Sequence, residues 1–215
     1  MTGLYLLPIT EAEKLPEGFA ARYFPKRAER AERYLRHEDL LRSYAAGALC
    51  ACVLNVEEEA IAFGPKGKPY LKNGGFSFSL SHSGDYALLA ADDTDIGADI
   101  EKLEPLERRE RIAGRVFTEE ERLWMTESPE TRFYMLWTMK ERVMKLDGRG
   151  FSLPPESFSA LPLLEGGSIE TVHGTAYGKT VLLPGCALSV CALHPVNQAP
   201  IRILTLKELL AMRKA

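Results

Sequence analysis

The sequence predicts an α+β fold built from two lobes of similar size, and three observations carry that expectation. Segments with helical patterning and segments with strand patterning come in blocks: helix then strands, followed by helix then strands again. The 215 residues suit one large domain or two small ones packed together. A break near Leu103–Pro105 leaves one such block in residues 1–103 and one in residues 104–215. No residue-level repeat and no low-complexity segment accompanies the division.

Taken in order, the apolar run Leu4–Ile9 opens the chain as a strand. Pro25 suits the first turn of a long helix reaching about Leu49, with Tyr34, Leu41, Ala45 and Leu49 as its apolar stripe. The glycines and prolines of Phe63–Leu71 mark an ordered loop. Phe76–Leu80 alternates as a strand and Tyr86–Ala91 follows as a second, with Ser81-His82-Ser83-Gly84-Asp85 as the hairpin-like connection. Ile96–Ile100 reads as a third strand. Thr118-x-x-Glu121 and Thr205-x-x-Glu208 are capping boxes that open helices. Ser128-Pro129 starts a further helix running to about Leu146, which Gly148 and Gly150 end. Phe151–Pro195 reads as short strands and polar turns, followed by Ile201–Leu204 and a last helix.

Composition narrows the function classes. With 46% hydrophobic and 27% charged residues, the chain has a globular balance. A net charge of −3 speaks against nucleic-acid binding and against steering of an anionic ligand by the molecule as a whole. A phosphate site must therefore be built locally. Met1–Pro8 lacks the tripartite pattern of a signal peptide, and no apolar run approaches the roughly 20 residues that span a bilayer. Cys50, Cys52, Cys186 and Cys191 lie in or beside apolar runs without the paired spacing of a zinc site, so reduced, buried thiols are expected. A cytoplasmic protein is the expectation.

The candidate chemistry lies in three segments. Asp99 and Glu101 are two apart on a predicted strand, so both carboxylates leave one face, about 7 Å apart. They repel unless a cation sits between them, and hard oxygen donors this few suit magnesium shared with substrate phosphates. Alone, the pair reads equally as a solvated strand end. Trp137, Glu141 and Lys145 fall at i, i+4 and i+8 on one helical stripe, which places Glu141 as a third metal ligand and Lys145 as a phosphate contact. A surface ion pair is the plain alternative for those two. Ser81-His82-Ser83 offers an imidazole, hydroxyls and amides to a phosphate, or simply a turn, and lacks the surroundings of a hydrolase nucleophile.

Taken together, Ile96-Gly97-Ala98-Asp99-Ile100-Glu101 and Trp137-Thr-x-Lys140-Glu141-x-x-x-Lys145 resemble the two signature motifs of the 4′-phosphopantetheinyl transferase family. Ser81-His82-Ser83-Gly84 before the first motif and Gly148-Arg-Gly-Phe-Ser152 after the second resemble its surfactin-synthetase-activating type. The resemblance implies a monomer of two lobes related by a pseudo-two-fold, each with a small antiparallel sheet and a long helix. It implies transfer of the phosphopantetheine arm of coenzyme A to a serine of an apo acyl, peptidyl or aryl carrier protein, releasing adenosine 3′,5′-bisphosphate. By the same resemblance Asp99, Glu101 and Glu141 hold magnesium, and Lys145 meets the pyrophosphate. Lys26, Arg42, Lys68, Pro69, Ser81 and His82 then contact the nucleotide, which puts the nucleotide on the first lobe and the carrier on the second.

The serine's base is left between Glu141, Glu121 and a metal-bound water, with Glu121 also explained by its capping box. Arg142 stands where the family usually has a small residue, and helical geometry points position 142 away from the Glu141 stripe. Arg108, Arg109, Arg111 and Arg115 form a basic cluster suited to an acidic carrier, or to solvent. A magnesium phosphodiesterase and a non-catalytic module that binds coenzyme A or carriers are the rival readings.

Overall fold

The computed structural model describes residues 2–64, 67–147 and 153–213. The first part of the chain runs β1 (Gly3–Pro8), α1 (Ile9–Ala12), α2 (Phe19–Tyr23), α3 (Pro25–Ala31), α4 (His37–Val53), β2 (Ile61–Phe63), β3 (Pro69–Leu71), β4 (Ser77–Ser83) and β5 (Tyr86–Asp92). It continues with β6 (Ile96–Lys102), α5 (Arg109–Val116), α6 (Glu119–Met125), α7 (Pro129–Asp147) and α8 (Leu161–Leu164). The last elements are β7 (Ser168–Thr171), β8 (Gly174–Leu183), β9 (Cys186–Ala192), β10 (Ile201–Ile203) and α9 (Leu206–Met212). The fold is α+β. It divides into two compact units, one of residues 1–93 with 199–215 and one of residues 94–198.

The first unit is built on a sheet ordered β10-β1-β5-β4 among the described residues, antiparallel except where β10 runs parallel to β1. Leu7, Ala87, Leu89 and Phe78 share a core with Ala45, Ala48 and Leu49 of α4, whose small residues let the helix approach the sheet closely. The expected single helix from Pro25 to Leu49 is two helices. In one straight helix Phe24 and Gly47 would lie about 35 Å apart. Instead the chain folds back, and a Cβ on Gly47 would lie 2.7 Å from the Phe24 ring. Tyr34, expected on the apolar stripe, sits in the connection and is exposed.

Two loop expectations are also corrected. Phe63–Leu71 contributes to a small hairpin of β2 and β3 rather than a plain loop. Strand β4 runs on through Ser81, His82 and Ser83, leaving Gly84-Asp85 as a two-residue turn with Gly84 at φ +54°.

The second unit carries an antiparallel sheet ordered β6-β9-β8-β7, with α7 packed against it. Asp99 pairs with Ser189 in the register of β6 and β9, and Gly97, Asp99 and Glu101 alternate onto one face. Thr118 and Thr205 form the expected capping boxes of α6 and α9. The expected boundary near residue 103 differs from the observed one because β6 pairs with β9, and because β10 returns to β1. The stretch after residue 153 holds α8 as well as strands; the expected helix stop at Gly148 and Gly150 lies outside the described residues. The four cysteines are buried and none is in a disulfide among the described residues, and burial pushes the Cys50 and Cys52 thiols up to about 11. Among the described residues no helix is long and apolar enough to cross a membrane.

Candidate active site

Three residues of α7 at i, i+4 and i+8 lie over β6 and β9: Tyr134, Thr138 and Arg142. The Thr138 hydroxyl is 2.7 Å from that of Ser189, the register partner of Asp99. Tyr134 donates its phenol proton to the Glu104 carbonyl at 3.1 Å. Burial, then the Glu104 and Glu101 charges, raise the Tyr134 pKa above its ordinary value. Arg142 Nη1 donates to the Ala98 carbonyl at 3.0 Å. Its Nη2 lies 3.7 Å from Asp99 Oδ1 and 3.2 Å from Glu141 Oε2.

This corrects the expectation that position 142 points away. The helix turns its 138/142 stripe onto the sheet, and a long side chain there carries its charge straight to Asp99. Glu141 and Lys145 occupy the neighbouring stripe as expected, with Lys145 Nζ 3.2 Å from the same Glu141 oxygen. Trp137, their apparent companion, packs instead as an aromatic of the core, stacked on Phe133 at 6.0 Å.

Glu121, read from the sequence as either a base or the partner of a capping box, takes the capping role. It has no exposed surface, and its carboxylate lies 2.8 Å from Lys140 Nζ, also fully buried. The same carboxylate accepts from the amides of Thr118 and Ala160, each at 2.7 Å. Lys140 spends its other protons on the carbonyls of Pro155 and Phe158. Burial lowers the Lys140 pKa, with Glu121 opposing. A carboxylate so enclosed cannot meet a serine hydroxyl; it anchors α6, α7 and the segment at 155–160 to one another.

In the first unit, His82 leaves the sheet on the α4 face while Ser81, its neighbour on the strand, leaves the other. Arg42 Nε donates to the Gly84 carbonyl at 2.8 Å and Arg42 also pairs with Asp39. Partial burial of the ring, then the Arg27 charge, lowers the His82 pKa, although the residue keeps an accessible surface. Arg27 is thus a cation near His82 that the sequence left unnoticed beside Lys26. Lys26 is exposed, and its amide and that of Arg27 donate to Glu58. Lys68 and Pro69 are half-buried beside the β2–β3 turn, where the Gly64 amide donates to the Lys68 carbonyl at 2.9 Å.

Among the described residues no three His, Cys, Asp or Glu side chains converge into a metal-binding group. Two of the three expected ligands nevertheless close on one positive nitrogen, that of Arg142. The donor set is all carboxylate oxygen, which fits a hard divalent cation.

The geometry thus gathers two carboxylates, a guanidinium and a flanking ammonium into one cluster of the second unit. The sequence profile of the 4′-phosphopantetheinyl transferase superfamily matches residues 95–191, the stretch that carries this cluster. The chain is 34% identical over 224 residues to 4′-phosphopantetheinyl transferase Sfp of Bacillus subtilis (strain 168), covering 97% of this chain and 98% of that protein. It is 31% identical to 4′-phosphopantetheinyl transferase ffp of Bacillus subtilis, covering 86% and 88%. It is 33% identical to 4′-phosphopantetheinyl transferase psf-1 of Bacillus pumilus, covering 67% and 65%. The chain belongs to the 4′-phosphopantetheinyl transferase family, and its full-length match sets it with the Sfp type.

Proposed function

We propose that this enzyme moves the 4′-phosphopantetheine arm of coenzyme A to a serine hydroxyl of an apo acyl, peptidyl or aryl carrier protein, with magnesium, releasing adenosine 3′,5′-bisphosphate. The observation that carries the reading is the closure of Asp99 and Glu141, from a strand and a helix, on one cationic nitrogen. Asp99, Glu101 and Glu141 would hold magnesium, which neutralises charge on a pyrophosphate as its phosphorus–oxygen bond breaks.

The chain's own groups supply the rest. Lys145, with 57% of its side chain exposed, offers an ammonium to a phosphate oxygen while Glu141 keeps it aligned. Glu141, 23% exposed, is the acidic residue of the helix motif with surface left to accept the serine proton. In the first unit His82, Arg42, Lys26, Ser81, Lys68 and Pro69 would contact the nucleotide. There the lowered His82 pKa makes the imidazole a neutral hydrogen-bonding partner near pH 7. The exposed Arg108, Arg111 and Arg115 of α5 and its start, with Arg109, would receive an acidic carrier surface. A cytoplasmic monomer suits these assignments, since one chain supplies all of the groups.

The test is to incubate the protein with coenzyme A, magnesium and apo carriers of fatty-acid, polyketide and peptide synthesis, and to weigh the carriers. A gain of one phosphopantetheine that chelator abolishes, and that Asp99→Asn and Glu141→Gln each remove, is the expected result. A gain that survives chelation, or none with any carrier, would overturn the reading.

A further inference from the structure

Arg142 is more enclosed than either carboxylate it touches: 5% of its side chain is exposed, against 8% for Asp99 and 23% for Glu141. A charge that deep must be neutralised where it lies. Only one hydrogen bond, Nη1 to the Ala98 carbonyl, anchors the guanidinium to backbone, and Nε has no hydrogen-bond partner among the described residues. Its stem lies along Gly97, where a Cβ would come 3.5 Å from Cδ. The single nitrogen Nη2 serves both carboxylates, and its 3.7 Å approach to Asp99 is longer than a hydrogen bond. The cation therefore sits where the two negative charges meet, hydrogen-bonded to Glu141 and ion-paired with Asp99.

Resting on the magnesium reading above, we propose that Arg142 is the resident counter-charge of the carboxylate site. Its guanidinium holds Asp99 and Glu141 together while no divalent ion is bound, and it competes with that ion for the same oxygens. Without a positive group the two carboxylates repel across the gap between strand and helix. A divalent ion coordinated by them would in turn meet an adjacent guanidinium of like charge, which weakens its binding. Arg142 is thus a positioning residue: it keeps the metal-free site closed at the cost of metal affinity.

The full-length wild type, Arg142→Gln and Arg142→Lys are titrated with Mn²⁺ in the presence of coenzyme A and without carrier. Bound ion is read from loss of the free-ion electron paramagnetic resonance signal, and the metal-free proteins are melted alongside. Arg142→Gln should bind Mn²⁺ about tenfold more tightly, equivalent to about 1.4 kcal/mol. It should also melt at a lower temperature than the wild type without metal, with the gap narrowing at saturating Mn²⁺. Arg142→Lys, which keeps the charge, should stay within about twofold of the wild type. Arg142→Met, which keeps the packed stem, gives the same reading if the Gln variant does not fold. Equal Mn²⁺ affinity in the wild type and the neutral variants would overturn the proposal. Wild-type Mn²⁺ uptake that Asp99→Asn leaves unchanged would remove the magnesium reading itself, and this inference with it.

Discussion

Removing either partner of the Glu121–Lys140 pair should unfold this protein before it alters its chemistry. At 2.8 Å the attraction is about 6 kcal/mol at an effective dielectric constant of 20. Burying both groups cancels much of that attraction, so the intact pair contributes little net stability. Deleting one partner is different, because it strands the other charge in a fully buried setting at a cost of about 3–5 kcal/mol. Glu121→Ala also orphans the amides of Thr118 and Ala160, which adds about 1–3 kcal/mol for each. That total rivals the whole stability of a domain of this size.

Urea unfolding of Glu121→Gln, Lys140→Met and the double variant measures the terms. The double variant should lose less than the sum of the singles, since neither leaves an unpaired charge behind once both are gone. Glu121→Gln within 1 kcal/mol of wild type, combined with a hundredfold loss of transfer at every pH, would refute the structural assignment and restore Glu121 as a base.

Three other outcomes follow from the same geometry. Gly47→Ala forces a methyl to within 2.7 Å of the Phe24 ring and should cost about 1–3 kcal/mol by thermal melting; no loss would refute the packing of the α3–α4 fold-back. Arg108→Glu with Arg109→Glu should raise the KM for carrier about tenfold and leave that for coenzyme A unchanged, whereas an unmoved carrier KM removes the docking surface. The Glu208 carboxyl is held below its ordinary 4.5 by the Thr205 amide and hydroxyl, so its contribution is present above pH 4.5 and lost as pH falls through the lower folded value. Glu208→Gln should flatten the acid limb of the melting profile, and an identical limb would exclude that linkage.

What the sequence made legible is what local signals decide. Thr118 and Thr205 announce their helices because the cap and its partner lie three residues apart, and β4 is read as a strand from Phe76–Leu80 because alternation is a two-residue property. The α3–α4 break was hidden because its cause, the Phe24–Gly47 contact, joins residues 23 positions apart. The return of residues 199–215 was hidden because the pairing of Leu4 with Ile201 is a choice of partner, made across the chain. Arg142 was misplaced for a third reason. A helical wheel gives the direction of a Cα–Cβ bond relative to neighbouring residues, but not which stripe the sheet selects. The signal was nevertheless present: Tyr134, Thr138 and Arg142 are polar or amphipathic residues at i, i+4 and i+8, a stripe as regular as that of Trp137, Glu141 and Lys145.

That second stripe explains why α7 can place Glu141 at all. Glu141 is flanked in sequence by two charged residues that solvent scarcely reaches, Lys140 and Arg142. On a helix these flanking side chains project about 100° to either side of Glu141. Lys140 is tied to Glu121 and to the carbonyls of Pro155 and Phe158, and Arg142 is tied to the Ala98 carbonyl and the Asp99 carboxylate. Rotating α7 about its axis in either sense drags one of these charges out of its partners into an environment that cannot solvate it. Buried ion pairs of this kind contribute little to stability relative to apolar packing, but they make wrong registers expensive. The two pairs therefore fix the helix's rotation at the one residue between them, and the partly exposed Glu141 carboxylate inherits its position from two buried charges.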